Sequence, residues 1–508
     1  MSLDAALSIA MGGLANVNRQ MALVSQNVAN AGTPDYVAQV GSQESLTAEG
    51  TGLGVATGVT TRRIDLQVQA TLYAQEAVVA GLDITAAALG AVDASHGTPG
   101  QGDDLASLVG GLRDGFSSLL GTPGDQTAQT GVVVAADDLA RRINGLSQTY
   151  GAQRQSAHDD MIAALDTMNA ALHRIGTLSN QIIALKSGGR SSADLENQRD
   201  AALHTLSGLV GVKALVKPNG DMLVFTSAGL GLPTRYDGDA FQLAPAALQP
   251  GTAYPATVPG IMMNGRDVTR QMTGGRIGAD LALRDTTLPT FQAELDEFAQ
   301  NLASRFDAQG LTLFTDPTGA AVPAANGTPT QAAYVGFAGI IGVNPAVRSD
   351  PSLIRDGTTV IAGSATGASA FTPNPAGGPA GFTTMIRRVL DFAMGAEAQT
   401  GVPQPTTATA GLGVDGNLAA PYAPPATLAD QATALVAAQA RESADTTSRL
   451  TDEQGYRDGL SSRLSAGSGV NLDTEMAMML TLQTAYGANA RIMSVIQSLF
   501  SDLMATVR

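Results

Sequence analysis

Apolar residues recur at Leu3, Leu7, Ala10, Leu14, Val17, Met21, Val24 and Val28, in alternating steps of four and three. That is an a/d seam of period 3.5 held for almost four heptads, and it predicts a helix that pairs with another. The opposite side is small, polar and nearly uncharged (Ser2, Asn16, Asn18, Gln20, Gln26). A lone helix of this length is marginal in water, so it needs a partner. The far end of the chain offers one. Asn471 fits an N-cap, and Asp473 and Glu475 suit the positive end of a helix dipole. Leu472, Met476, Met479, Leu482, Tyr486, Asn489, Met493, Ile496, Phe500, Leu503 and Val507 then form a second stripe, with one slip near Met479. Asn489 falls within it, where a polar residue fixes register at a cost in stability. The two stripes predict termini that pair and then face further copies. The plainer alternative is two ordinary helices packed on a globular core.

Between the ends the periodicity changes repeatedly. Asn30-Ala31-Gly32 stops the first helix, and Pro34 forbids its continuation. Residues 37–69 alternate as in "GVATGVTTRRIDLQV", which predicts short strands or an extended arm. From about Ala135 a helical stripe runs through Leu139, Ile143, Leu146 and Tyr150 and on to Leu185, a helix of roughly fifty residues. "KSGGR" (186–190) stops it, and a shorter helix runs from Ser192 or Asp194 to Leu206. Pro218-Asn219-Gly220 between two alternating runs predicts a hairpin, and 212–283 reads as mostly β. Leu288, Phe291, Leu295, Phe298, Leu302 and Phe306 share one face of a helix over 287–306, with Pro289 in its first turn. Residues 311–380 are rich in Gly, Pro and Thr, 396–426 reads as a linker or long loop, and helix resumes over about 428–464.

These elements define an α+β multidomain chain: a terminal coiled-coil hairpin, a long-helix inner domain and β-rich outer modules. The expected division is 1–36 with 470–508 as the coiled-coil core, and 37–211 with 284–310 and 427–469 as the helical inner domain with an extended arm. Residues 212–283 form a β-rich module, and 311–426 a second β- or loop-rich module and linker. The length of 508 residues suits several domains.

Composition removes several function classes. Net charge is −16, with only 29 Lys and Arg and no basic cluster, which disfavours nucleic acid. There is no cysteine, hence no disulfide, thiolate metal site or cysteine nucleophile. No Lys or Arg precedes Arg19, so a secretory n-region is not expected, and no uninterrupted apolar window predicts a membrane span. Phosphate-loop, zinc-protease and nucleophile-elbow motifs are absent. The glycines of "GLGVATG" (52–58) miss the dinucleotide spacing and read as turn glycines. "HDD" at 158–160 reads as a surface charge cluster rather than a ligand set, since adjacent helical residues point different ways. His173 and His204 read as packing or surface residues. Neither catalysis, nor a cofactor, nor a metal is expected.

The two termini together resemble the axial proteins of the bacterial flagellum. "SQNVANAGTPDYVAQ" (25–39) is similar to the segment after their first helix, with Asn27, Ala29, Asn30, Thr33, Pro34 and Tyr36 matching; Asp35 stands where the family usually has Gly. "SGVNLDTEMAMMLTLQTAYGANARIMSVIQSLFSDLM" (468–504) is similar to their C-terminal signature. Matching there are Val470, Asn471, Leu472, Glu475, Met476, Gln483, Ala485, Tyr486, Ala488, Asn489, Ala490 and Arg491. Gly487 departs from it, since a longer polar residue is common at that position. The interior segments "ENQRDAALHTLSGLVGV" (196–212) and "GGRIGADLALRDTTLPTFQAELDEFAQNLA" (274–303) narrow the resemblance to the hook-associated FlgK family. The resemblance covers both ends and roughly 130–310, and does not reach 311–425.

The resemblance implies a structural, non-enzymatic subunit of the hook–filament junction. Its implied partners are further copies of itself, the hook protein, the junction protein FlgL and the export chaperone FlgN. It implies type III export from the cytoplasm to the extracellular flagellum. The expected assembly residues are Leu3, Leu7, Leu14, Val17, Met21, Val24, Asn27, Val28, Asn30, Pro34 and Tyr36 with Leu472, Met476, Met479, Tyr486, Asn489, Met493, Ile496, Phe500 and Leu503. A hook or distal-rod subunit shares the termini but lacks the long helical region. An extracellular adhesin or enzyme would instead use the middle modules.

Overall fold

The structure is a computed structural model that describes every residue except 1, 2, 34, 35, 49, 50, 99, 320, 321, 507 and 508. Helix α1 (Leu3–Ala29) ends where the Asn30 side chain turns back to donate to the Gln26 carbonyl at 2.9 Å. Strands β1 (Gln39–Ala48) and β2 (Thr51–Arg62) follow as an antiparallel hairpin beside α1. Helices α2 (Leu66–Ser95), α3 (Leu105–Gly121) and α4 (Gln126–Ser187) each start at an aspartate N-cap: Asp65, Asp104 and Asp125 accept from first-turn amides. Helix α4 holds 62 residues, a rod of about 93 Å at ~1.5 Å per residue. Helix α5 (Ala193–Leu209) folds back against it.

Two three-stranded sheets come next: β3 (Val212–Val216), β4 (Met222–Thr226) and β5 (Gly231–Leu232), then β6 (Phe241–Gln242), β7 (Met262–Met263) and β8 (Arg266–Asp267). The β3–β4 turn is the expected Pro218-Asn219-Gly220. Gly220 has a φ of 90°, and a Cβ there would meet the Ile182 side chain at 2.6 Å, so glycine is required. Helix α6 (Gly275–Ala282) passes through a π-helical stretch, Leu283–Thr287, into α7 (Leu288–Ala308). Three short helices, α8 (Pro345–Ser349), α9 (Leu353–Asp356) and α10 (Thr384–Arg388), and several short strand pairs precede α11 (Leu428–Ser468) and α12 (Leu472–Thr506).

Two cores share α4. Its first half packs with α3, α7 and the start of α11 through Leu112, Phe116, Leu139, Ile143, Phe298 and Leu435. Phe306 meets Phe314 edge-on at 5.6 Å, an arrangement that adds to plain burial. The second half packs with α5, α6 and the sheets through Met161, Leu172, Leu206, Val224, Phe241 and Ile277. A single rod backing two cores explains the unusual length of α4.

Several readings of the sequence need correction. Helix α2 already begins at Leu66, where the strands or arm were expected to run to 69, and residues 70–121, unassigned by periodicity, hold the rest of α2 and α3. Helix α2 is apolar on nearly every side and long enough to cross a membrane by length and composition, so a stripe cannot be read from it. Its neighbours are α11, α5 and α6. The β character of 212–283 ends at Asp267, because Gly275 opens α6. Within 311–426, Leu311, Phe314, Phe337, Ile354 and Val389 join the first core. His158 is fully buried, bonded at Nε2 to the Ala244 carbonyl at 3.1 Å, while Asp159 and Asp160 face outward. Among the described residues no group of three His, Asp or Glu side chains converges as a metal site.

Three carboxyls on α6 and α7 are buried against their chemistry. Burial pushes the Asp280, Glu294 and Asp296 pKa values up to about 7. Neither Asp280 oxygen has a hydrogen-bond partner, and the Asp160 charge adds to its shift while Arg276 opposes it. A carboxyl raised above its unfolded value, about 3.9 for Asp, stabilises the fold fully in acid. That contribution is lost as pH rises through about 7. Between pH 5 and 7 the unfolding free energy of Asp280→Asn should fall less steeply than that of the wild type. The difference is at most ~1.4 kcal/mol per pH unit, one proton's worth. Urea titrations at four pH values measure it; parallel slopes would show that Asp280 is already ionised.

Candidate functional site

Helices α1 and α12 lie antiparallel, joining residues more than 440 positions apart. Their shared core is small: Val17, Val24 and Leu482 are buried, with Met21, Val28, Met479 and Ala485 around them. Ala10 and Ile496 are also buried. Leu3, Leu7, Leu14, Met493 and Phe500 are half-buried. Asn489 faces Gly13, whose missing side chain leaves its room: a Cβ there would lie 3.0 Å from Asn489 Oδ1. Asn489 Nδ2 donates to the Ala485 carbonyl at 3.1 Å.

A polar knot closes one end of this pair. Asn27 is buried, donates Nδ2 to the Gln39 carbonyl (3.0 Å) and to Glu475 Oε1 (3.3 Å), and accepts from the Gln39 amide (3.0 Å) and the Tyr36 hydroxyl (3.1 Å). One amide therefore ties together α1, the segment entering β1, and α12. Burial pushes the Tyr36 phenol up to about 12, with the charges of Asp194 and Glu475 adding to the shift. Replacing Asn27 with Ala leaves these partners unmet in a buried place. It should cost the terminal pair about 1–3 kcal/mol, read as faster amide exchange over 3–29; unchanged exchange would refute the knot.

The expected stripe of α12 is only partly the one turned to α1. Met479, Leu482, Asn489, Met493, Ile496 and Phe500 are half-buried or buried. Leu472, Met476, Tyr486 and Leu503 are not; each is at least 41% exposed, as are Met478, Leu480, Ile492, Val495, Leu499 and Met504. For Leu472 and Met476 the reason is the slip near Met479: Glu475, not Met476, takes the position beside Asn27. Asn30 is half-buried at the end of α1, and Pro34 lies outside the described residues. Periodicity missed Glu475, Gln39 and the buried Asn16, because polar residues carry no weight in an apolar stripe. For Glu475 the acidic first turn of α12 and the C-terminal motif were the sequence signals. The arrangement offers a rod with a narrow internal core and a wide apolar exterior, which suits lateral packing.

Residues 96–321 match the family described as the flagellar hook-associated protein FlgK helical domain, and 462–506 match the C-terminal family of flagellar basal body rod FlgEFG proteins. The chain is similar to flagellar hook-associated protein 1 of Escherichia coli (strain K12), with 23% identity over 310 residues, 59% of this chain and 56% of that one. Its likeness to flagellar hook-associated protein 1 of Salmonella typhimurium is 23% over 310 residues, 59% of this chain and 55% of that one. The match thus spans little more than half the length of these relatives. The solved flagellar hook junction protein FlgK from Burkholderia pseudomallei is similar over 50% of this chain and 45% of that one, with 27% identity and a TM-score of 0.40.

Proposed function

We propose that the chain is a FlgK-type hook-associated protein, a structural junction subunit that joins hook to filament by self-assembly of its paired terminal helices; the match of 96–321 to the FlgK helical domain supports this. The observation that carries this reading is the apolar exterior of α12. Ten large apolar side chains stand at least 41% exposed on a helix that already has an intramolecular partner. An apolar surface of that kind marks an interaction site. The FlgK-type helical region at 96–321 favours this reading over a hook or distal-rod subunit. The partners are further copies of the chain, with hook protein on one side and FlgL on the other. Before export the chain is held in the cytoplasm by the chaperone FlgN. Afterwards it resides in the extracellular flagellum.

In cells lacking their own junction subunit, the full chain with its cognate hook should restore filaments. The chain without 472–508 should leave bare hooks. Filaments of normal number on the truncated chain would overturn the reading.

A further inference from the structure

Pairing of the termini leaves one motif without a task, the polar run "SSADLENQRD" at 191–200. It forms the turn after α4 and the first two turns of α5, the place where the terminal pair meets the rest of the molecule. Asp194 accepts from Gln26 of α1 at 3.0 and 3.1 Å and from Gln39 of β1 at 2.8 Å. Asn197 donates to the carbonyl of Val37 at 3.1 Å, in the segment that leads from α1 into β1. Arg62, at the end of the hairpin, is nearly buried and pairs with Glu196 at 3.1 Å and Asp200 at 2.6 Å. Burial pushes the Glu196 carboxyl up, but hydrogen bonds from Lys186 and Ser192 with the Arg62 charge outweigh it and hold it below its ordinary range.

We propose that the first two turns of α5 are a polar socket that sets the angle of the paired terminal helices on the body, with Asp194 as its positioning residue. Two uncharged amides from different elements converge on one carboxylate, so their spacing is fixed by its geometry. Without it, the joint rests on Asn197, the Arg62 ion pairs and the main-chain crossings near residues 36–38, 62–65 and 469–471. The angle matters because the lever is long. Helix α12 has 35 residues and is about 52 Å long, so a tilt of about 6° moves its far end by about one helical turn. That consequence for assembly rests on the reading of the chain as a junction subunit; the socket itself does not.

The chain has no cysteine, so two introduced thiols label cleanly. Spin labels at Ala170→Cys on α4 and Ser498→Cys on α12, both exposed positions, report the angle as a distance in the free full-length chain. The parent should give a narrow distribution. Asp194→Ala should broaden it and shift its mean by several ångströms, with the melting transition of the body unchanged. Asp194→Asn keeps one acceptor oxygen and should restore most of the narrow population. Gln26→Ala with Gln39→Ala, which removes the donors instead, should reproduce Asp194→Ala. An unchanged distribution in Asp194→Ala overturns the socket, as does loss of the body's melting transition together with the angle. Because no polymer is needed, this result is separate from failure to restore filaments, which would count against the junction reading alone.

Discussion

Leu482→Asp should release both terminal helices while the body stays folded. Leu482 is 5% exposed and sits against Val17 and Val24, the other buried members of a three-residue core. Burying each apolar side chain of this size is worth about 1.5–3 kcal/mol. An unpaired carboxylate in that place removes one share and adds a desolvation cost of several kcal/mol, which together exceed what so small a core supplies. Amide exchange over 3–29 and 472–506 should accelerate by more than about a hundredfold, the factor for ~2.7 kcal/mol. Polymerisation should stop. Leu480→Asp is the matched control: at 63% exposure on the outer side it should leave exchange unchanged and still block polymerisation. Retained protection in Leu482→Asp would mean that the terminal pair is held by something other than this core.

The largest loss of body stability should follow Arg284→Ala. Arg284 is fully buried in the π-helical stretch between α6 and α7. Its guanidinium grips Asp285 through two bonds of 2.7 Å, donates to the Pro259 carbonyl at 3.1 Å and lies over the Tyr254 ring at 5.8 Å. It thus fastens the second core to the helix that serves the first. Removing one partner of a buried pair typically costs about 3–5 kcal/mol, because the other charge is left stranded. Arg284→Lys lacks the planar fork and should recover little of it. Arg284→Met combined with Asp285→Leu removes both charges and should cost less than Arg284→Ala alone. Chemical denaturation separates these cases; equal stability of Arg284→Ala and wild type would show the pair to be dispensable.

Elements with one clear apolar face were legible in the sequence. The face predicted for 287–306 is buried in full, from Leu288 to Phe306. The Pro218-Asn219-Gly220 hairpin and the Asn471 cap, which accepts from the Thr474 amide at 3.0 Å, also follow from local chemistry. Helix α2 was missed because it lacks a polar side, and α3 because its four glycines argue against helix until tertiary packing overrides them. The seam of α12 was half legible. That helix carries apolar residues on the face toward α1 and beyond it, and periodicity alone cannot assign which stripe stays within the molecule. The polar knot at Asn27 was visible as a motif but not as a geometry, since Glu475 lies 448 positions away. Buried ionic fasteners such as Arg284 leave no period at all.

The antiparallel layout has a kinetic side. Helix α1 is made long before its partner α12, and α2 likewise waits for α11. The first core cannot close until Leu428, Ala432 and Leu435 have been synthesised. Closing such long loops is entropically slow. While the intervening residues are made, α1 therefore stays unmatched and the first core stays open.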